Sequence, residues 1–262
     1  LTGVCAARRP PPLPPSRVRE LLQTEKTFTA SSDVETVAEL YRRFFESVAS
    51  TASRLDFRQL QWGADEARQL AAVLPCFTAL TALDVSGNEL GAEGGLAIAE
   101  GIRVSGSLTV ADLRFNELDT ESATMLANIA KEKKISLCGI TPEQATADFS
   151  RQQMRPADAI LLTADLAIRS SLTECDLRRN KLGKEGWCAI FDALRDNPQK
   201  KIFKRDLRDQ RIDAEVAKSL AAYMAVSHSL TAADLRFNQI DDDAKQLVRE
   251  SVKGRVGFDL KL

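Results

Sequence analysis

The chain has little of what catalysis and membrane insertion draw on. Histidine occurs once in 262 residues, as His228 between Ser227 and Ser229, with no neighbouring partner that would make it a general base. The five cysteines, Cys5, Cys76, Cys138, Cys175 and Cys188, form no Cys-x-x-Cys pair and are odd in number. A complete disulfide framework and a Cys/His metal cluster are thereby excluded. No Gly-x-x-x-x-Gly-Lys-Ser/Thr run is present to cradle a phosphate. Aromatic residues make up only 6% of the chain, so its core must be mainly aliphatic. Uninterrupted apolar runs fall far short of the roughly 20 residues a membrane-spanning helix needs. Charge of one sign is not in excess either, since 36 Lys and Arg face 37 Asp and Glu, and no global field draws in nucleic acid or anionic lipid. These absences predict a chain with no enzymatic activity, metal or cofactor, no nucleic-acid partner and no membrane span. Free thiols favour an intracellular, cytoplasmic setting. The start at Leu1 rather than Met leaves an organelle interior open, should a targeting segment have been removed.

What is present is a repeat. Leu108-Thr-Val-Ala-Asp-Leu-Arg-Phe-Asn-Glu-Leu118 returns as Leu230-Thr-Ala-Ala-Asp-Leu-Arg-Phe-Asn-Gln-Ile240. An Asp followed by an apolar residue recurs at 56, 84, 112, 148, 176, 206, 234 and 259, in steps of 28, 28, 36, 28, 30, 28 and 25. Internal periodicity of this length fixes architecture before any local motif can be weighed. Apolar columns stand just after the Asp (Phe57, Val85, Leu113, Phe149, Leu177, Leu207, Leu235, Leu260) and six after it (Trp62, Leu90, Leu118, Met154, Leu182, Ile212, Ile240). Four after the Asp stands an amide in most units, as Asn88, Asn116, Asn180 and Asn238, with Gln152 and Gln210 in two others. Such an amide can bond the backbone of neighbouring turns. Further on, residues spaced by three and four, such as Ala123, Leu126 and Ala130, predict a helix with one apolar face. Each unit thus reads as a short strand, a turn and a helix.

Residues Leu80 to Ile102, with their Leu-x-x-Leu-Asp-Val-x-x-Asn-x-Leu phrase, Gly91-x-x-Gly94 and an Ala/Leu-rich helix, resemble the leucine-rich repeat of the ribonuclease-inhibitor type. The resemblance covers about residues 52–262, as seven repeats and a terminal strand over 256–262. It implies an α/β leucine-rich-repeat solenoid, a horseshoe arc with a parallel concave sheet and outer helices. The function it implies is protein binding by a non-catalytic accessory or scaffold subunit of a larger assembly. Similar repeat proteins also include enzyme inhibitors and GTPase-activating proteins, which stands as the alternative.

Two segments precede the array. Residues 1–16, with Arg8-Arg9-Pro10-Pro11-Pro12-Leu13-Pro14-Pro15, predict polyproline II, either a solvated leader or a tail that docks on a partner. Residues 17–51 predict a helical N-terminal cap, with a short amphipathic piece around Val18, Leu21 and Leu22. A firmer helix is signalled by the capping-box pattern Ser32-Asp33-Val34-Glu35. Its stripe of Val34, Val37, Ala38, Tyr41, Phe44, Phe45 and Val48 is suited to covering the open apolar end of the array.

Two units break the pattern. The fourth arrives eight residues late, after an insertion at 131–142, which predicts either an extra edge-like strand or a loop on the helix side. The sixth carries Arg205 in an inward column, and two extra residues before it suggest a bulge that turns Arg205 outward and lets Ile202 or Phe203 fill the gap. The run Lys200-Lys201-Ile202-Phe203-Lys204-Arg205 reads as a solvated mixed-charge edge.

Because successive strand residues alternate faces, the Asp column and the residue two beyond it share the concave face. Diagonal Asp–Arg pairing between strands would relieve the stacking of like charges. The candidate partner-binding residues are therefore Asp112, Asp176 and Asp234 with Arg114, Arg178, Arg208 and Arg236, joined at the rim by Phe115 and Phe237. No further cap follows the last strand, so that end is expected to meet a partner or to continue.

Overall fold

The alternation around each Asp selects extended backbone, and the three–four spacing after the turn selects helix. The computed structural model describes residues 10–25, 31–197 and 207–262. Two helices come first, α1 (Pro15–Thr24) and α2 (Ser31–Thr51). The array follows as β1 (Arg54–Asp56), α3 (Ala64–Val73), β2 (Ala82–Asp84), α4 (Gly91–Val104), β3 (Val110–Asp112) and α5 (Thr120–Lys133). It continues as β4 (Thr146–Asp148), α6 (Pro156–Ile168), β5 (Glu174–Asp176), α7 (Gly183–Arg195), α8 (Ala214–Val226), β6 (Ala232–Asp234), α9 (Asp242–Ser251) and β7 (Asp259–Lys261). Strands pair in parallel and each array helix packs on the next, giving an α/β leucine-rich-repeat solenoid.

The inward strand column is buried at Phe57, Val85, Leu113, Phe149, Leu177, Leu207 and Leu235, and it meets the apolar helix faces in one cluster running from Phe45 to Val248. Truncating any one of these side chains to Ala costs about 2–5 kcal/mol. At the N-terminal end α2 lays Phe45 edge-on against Phe77, with ring centroids 5.8 Å apart, and buries Ala38 and Ala49. The covering stripe is narrower than its spacing predicts, because Val37 and Phe44 face outward and Phe44 is 67% exposed. The Ser32 side chain lies outside the described residues.

The described part of the proline-rich segment, from Pro10 on, lies against α2. Pro11 is buried, and the Tyr41 hydroxyl of α2 donates to the Leu13 carbonyl at 2.7 Å. Pro14 keeps polyproline II dihedrals (φ −64°, ψ 145°), but helix α1 already begins at Pro15, inside the stretch assigned to the tail. Arg8 and Arg9 lie outside the described residues.

The 131–142 insertion proves to be an extra rung on the sheet side. After α5 the chain turns at Lys134 (φ 58°) and runs beside β3. Ala111 N–H donates to Ser136 O at 2.8 Å, and Leu113 N–H to Leu137 O at 3.0 Å. Ile135, Leu137, Cys138 and Ile140 are buried. Gly139 (φ +73°) passes so close to β3 that a Cβ there would sit 3.1 Å from Asp112 Oδ2. This rung occupies the edge that β4 would otherwise use, so β3 and β4 do not pair; the described strands group as β1-β2-β3, β4-β5 and β6-β7.

Two further expectations need revision. In the last rung Asp259 lies opposite Ala232 and Lys261 opposite Asp234, so the register is shifted by two residues. Asp259 is therefore not an eighth member of its column, and Leu260 pairs with Ala233 instead of continuing the column after the Asp. The bulge at Arg205, the 200–205 run and Asp206 lie outside the described residues.

Candidate functional site

The concave face is built on turns that an amide ladder fastens. Asn88 Oδ1 accepts from Leu60 N–H at 2.8 Å and Trp62 N–H at 3.1 Å, while its amide nitrogen donates to the Phe57 and Val85 carbonyls. Asn180 and Asn238 repeat the arrangement on the turns before them. The backbone here is left-handed three residues past each Asp, at Gln59, Gly87, Phe115, Arg151, Arg179, Asp209 and Phe237. Five past the Asp it is left-handed again at Gln61, Glu117, Gln153 and Arg211.

Two turns follow another path, with the second left-handed residue delayed to Gly91 or Gly183. The amides that would fasten these two turns belong to Asn116 and Gln210. Their oxygens, Asn116 Oδ1 and Gln210 Oε1, are buried with no hydrogen-bond donor among the described residues. Turn geometry and ladder thus vary together, since a shifted turn no longer aims its N–H groups at the next amide.

On the strands, Arg58, Arg114, Arg178 and Arg236 fold back on the Asp of their own units instead of pairing mainly across the diagonal. Arg58, Arg178 and Arg236 reach Asp56, Asp176 and Asp234 at 2.8, 2.6 and 2.6 Å. The diagonal contacts are longer, at 3.4 Å for Arg58 to Asp84 and 3.9 Å for Arg208 to Asp234. The Arg58 and Arg236 guanidinium groups hold the Asp56 and Asp234 carboxyls below the usual carboxylate range. Asp84, paired closely only with Ser86, is instead pushed up by burial.

The nine candidate residues separate into two groups. Asp112 is buried, and the Arg114 side chain, 15% exposed, is clamped to it through Nε at 2.9 Å and a terminal nitrogen at 2.6 Å. Arg114 also donates to Gln152 Oε1 at 2.9 Å and lies over the Phe149 and Phe115 rings, 4.7 and 5.4 Å from their centroids. Burial pulls this guanidinium down, but Asp112 outweighs it and leaves Arg114 raised. Phe115 is half-buried, and its N–H donates to Asp158 Oδ1 at 2.8 Å. Asp112 and Arg114 are thus tied into the interrupted sheet, while Phe115 lines a smaller cleft with Glu117 and Asp158. Asp176 and Asp234 are half-covered, whereas Arg178, Arg208 and Arg236 are exposed and Phe237 is 76% exposed.

Beside these last four opens a cleft of about 780 Å³, lined by Arg178, Arg179, Lys181, Arg208, Arg211 and Phe237 together with Asp209 and Gln210. Sequence reasoning passed over Arg179, Lys181 and Arg211. Their signal lay in reading the positions three and five past the Asp as a column of their own. It passed over Asp158 and Asp165 as well, which look like interruptions of an apolar helix and are its buried polar anchors.

Among the described residues no group of three or more His, Cys, Asp or Glu could hold a metal ion, and no helix is long and apolar enough to cross a membrane. His228 is exposed in a connecting turn. Cys138 and Cys175 are buried, and burial pushes both thiols up, away from the reactive thiolate.

The family profile described as Leucine Rich repeat matches residues 78–99. Human "NACHT, LRR and PYD domains-containing protein 12" is 25% identical over 221 residues, 76% of this chain and 21% of that protein. "Protein CARMIL" of Dictyostelium discoideum is 30% identical over 169 residues, 63% of this chain and 16% of that protein. The chain thus spans about a fifth of the length of the curated relatives it matches.

Proposed function

We propose that this chain, a leucine-rich-repeat protein, acts as a non-catalytic protein–protein interaction module, an accessory or scaffold subunit of a larger assembly. The observation that carries this reading is the concentration of exposed cations and one exposed aromatic on the C-terminal half of the concave face. Arg178, Arg208, Arg236 and Phe237 stand there, and Asn238 fastens the turn that follows Arg208. A rigid, patterned face of this kind orients a partner through charge-assisted hydrogen bonds, with an aromatic as anchor. The human relative bears repeats of this kind in its name beside other domains, which suits a module that works within something larger. Unpaired thiols at Cys76 and Cys188 suit a reducing, intracellular setting.

The test is affinity purification from the native source with mass-spectrometric identification, beside a variant with Arg178, Arg208 and Arg236 changed to Glu. Loss of a protein partner from a variant that keeps its circular dichroism spectrum supports the reading. Unchanged recovery of the same partner removes the concave face from it and moves attention to the outer helices.

A further inference from the structure

The net charge of the chain conceals a division along its turn ridge. In the first three units the exposed turn positions three and five past the Asp carry Gln59, Gln61, Glu89 and Glu117. From the fourth unit on they carry Arg151, Arg179, Lys181 and Arg211 beside the uncharged Gln153, Phe237 and Gln239, with Asp209 the one acid among them. Left-handed backbone at Arg151, Arg179 and Arg211 is a conformation a long side chain adopts at a cost, so these cations are not placed by local preference. Arg179, Lys181 and Arg211 have no ion pair among the described residues, unlike Arg58 and Arg114, which are held by their own aspartates.

The cleft lies where the ladder fails. Gln210, unlike Asn88, Asn180 and Asn238, does not fasten the turn before it. The walls of the cleft hold five cations, Arg178, Arg179, Lys181, Arg208 and Arg211, against the single carboxylate of Asp209, with Phe237 at the rim.

We propose that this cleft between the fifth and sixth turns binds a short acidic segment of a partner protein, its carboxylates on Arg179, Lys181 and Arg211 and one apolar side chain against Phe237. The inference rests on the interaction-module reading and deepens it by naming the class of partner. Charge complementarity selects the sign, and planar guanidinium groups suit carboxylate oxygens. A nucleic acid fits less well. Its backbone needs a continuous basic track and stacking platforms for successive bases, whereas here Asp176, Asp209 and Asp234 interrupt the cations and a single aromatic is offered.

The test is fluorescence anisotropy with the full chain and a labelled peptide of alternating Glu and Asp carrying one central Leu. The variants are the triple reversal Arg179→Glu, Lys181→Glu, Arg211→Glu and a charge-matched control, Lys131→Glu, Lys133→Glu, Arg103→Glu, on the outer helices. Saturable binding should weaken at least about tenfold in the cleft variant, stay within about twofold in the control and fall steeply with salt. Phe237→Ala should weaken it by about threefold or more. No binding by the wild type, equal loss in both triple variants, or tighter binding of a single-stranded RNA of the same length would each overturn the proposal. The two readings fail separately. If the cleft variant, still folded, recovers the same native partner that the concave-face variant loses, the acidic-segment proposal falls and the module reading stands.

Discussion

At the scale of single residues, position in the turn decides what a side chain is worth, and chemical type alone does not. Asn88 and Asn116 occupy the same column and are equally buried, yet Asn88 satisfies two backbone N–H groups and two carbonyls while the Asn116 oxygen meets no donor among the described residues. Stranding buried donors costs roughly 1–3 kcal/mol each. Asn88→Ala should therefore lower stability by about 2–4 kcal/mol and Asn116→Ala by clearly less, as read from urea midpoints at constant slope. Equal losses would mean that the two turns do not differ as described. Phe237 is the converse case. It holds a left-handed backbone (φ 65°) with its ring mostly in solvent, so neither packing nor propensity accounts for it. Removing the Cβ relieves ~1–2 kcal/mol of backbone strain and gives back ~0.5–1 kcal/mol in unfolded-chain entropy. Phe237→Gly should leave the melting temperature unchanged or slightly higher while weakening partner binding. A clear fall in melting temperature would show that the ring is structural.

At the scale of elements, α6 stands apart because it is buried on every side, from Ala157 to Leu166. Two of its polar residues, Asp158 and Asp165, lie seven apart on one face, and with Arg169 at its C-cap they bind backbone where the sheet is interrupted. Asp158 accepts from Phe115 N–H and, as a cap on its own helix, from Arg155 N–H, both at 2.8 Å. Asp165 Oδ2 accepts from Leu137 and Cys138 N–H at 3.1 Å, and Arg169 donates to Thr109 O at 2.7 Å. Burial pushes the Asp165 carboxyl up to about 6 from an ordinary 3.8, against the pull of Ser136, Leu137 N–H and Arg169. A raised folded-state value means that the native chain holds this proton more tightly than the unfolded chain. Ionisation of Asp165 therefore weakens the fold above pH ~6, and stability from this group grows as pH falls from ~6 toward ~4, by on the order of 3 kcal/mol. Denaturant midpoints taken between pH 4 and 7 should show that slope in the wild type and lose it in Asp165→Asn; identical slopes would remove the assignment. Strand, turn and helix could be read from the sequence because each answers to a local period, and the register of the inward columns was correct as far as β6. The interruption was legible only as one of two alternatives, an edge-like strand or a loop, since Ile135, Leu137 and Ile140 alternate only imperfectly. The partners that draw them to β3 lie on a helix 20 to 30 residues further along. The candidate site was half legible for the same reason. Arg114 and Arg178 look identical in sequence, and only the extra rung beside β3 decides that one is enclosed and the other exposed.

At the scale of the whole molecule, the β1-β2-β3 run meets the units that follow at a junction where β3 and β4 do not pair. In a repeat array, stability is a sum of unit terms and nearest-neighbour junctions, so a weak junction is where cooperativity fails first. Helix packing of α5 on α6 continues across this junction, while the missing strand ladder is replaced by side chains. The clamp of Arg114 on Asp112, Gln152 and Phe149 is the central one. Removing Arg114 strands a buried carboxylate in the N-terminal run, which should cost roughly 3 kcal/mol or more, and it also cuts the link to the C-terminal run. The two tryptophans divide between the runs and are both buried, Trp62 in the first unit and Trp187 on α7. Single-tryptophan variants, Trp187→Phe and Trp62→Phe, therefore report each run separately. In the wild-type background the two fluorescence transitions in urea should coincide. With Arg114→Ala added, the Trp62 transition should move to lower denaturant and separate from that of Trp187. If the two curves shift together, the junction is carried by helix packing alone, and the clamp stabilises the fold without coupling its halves.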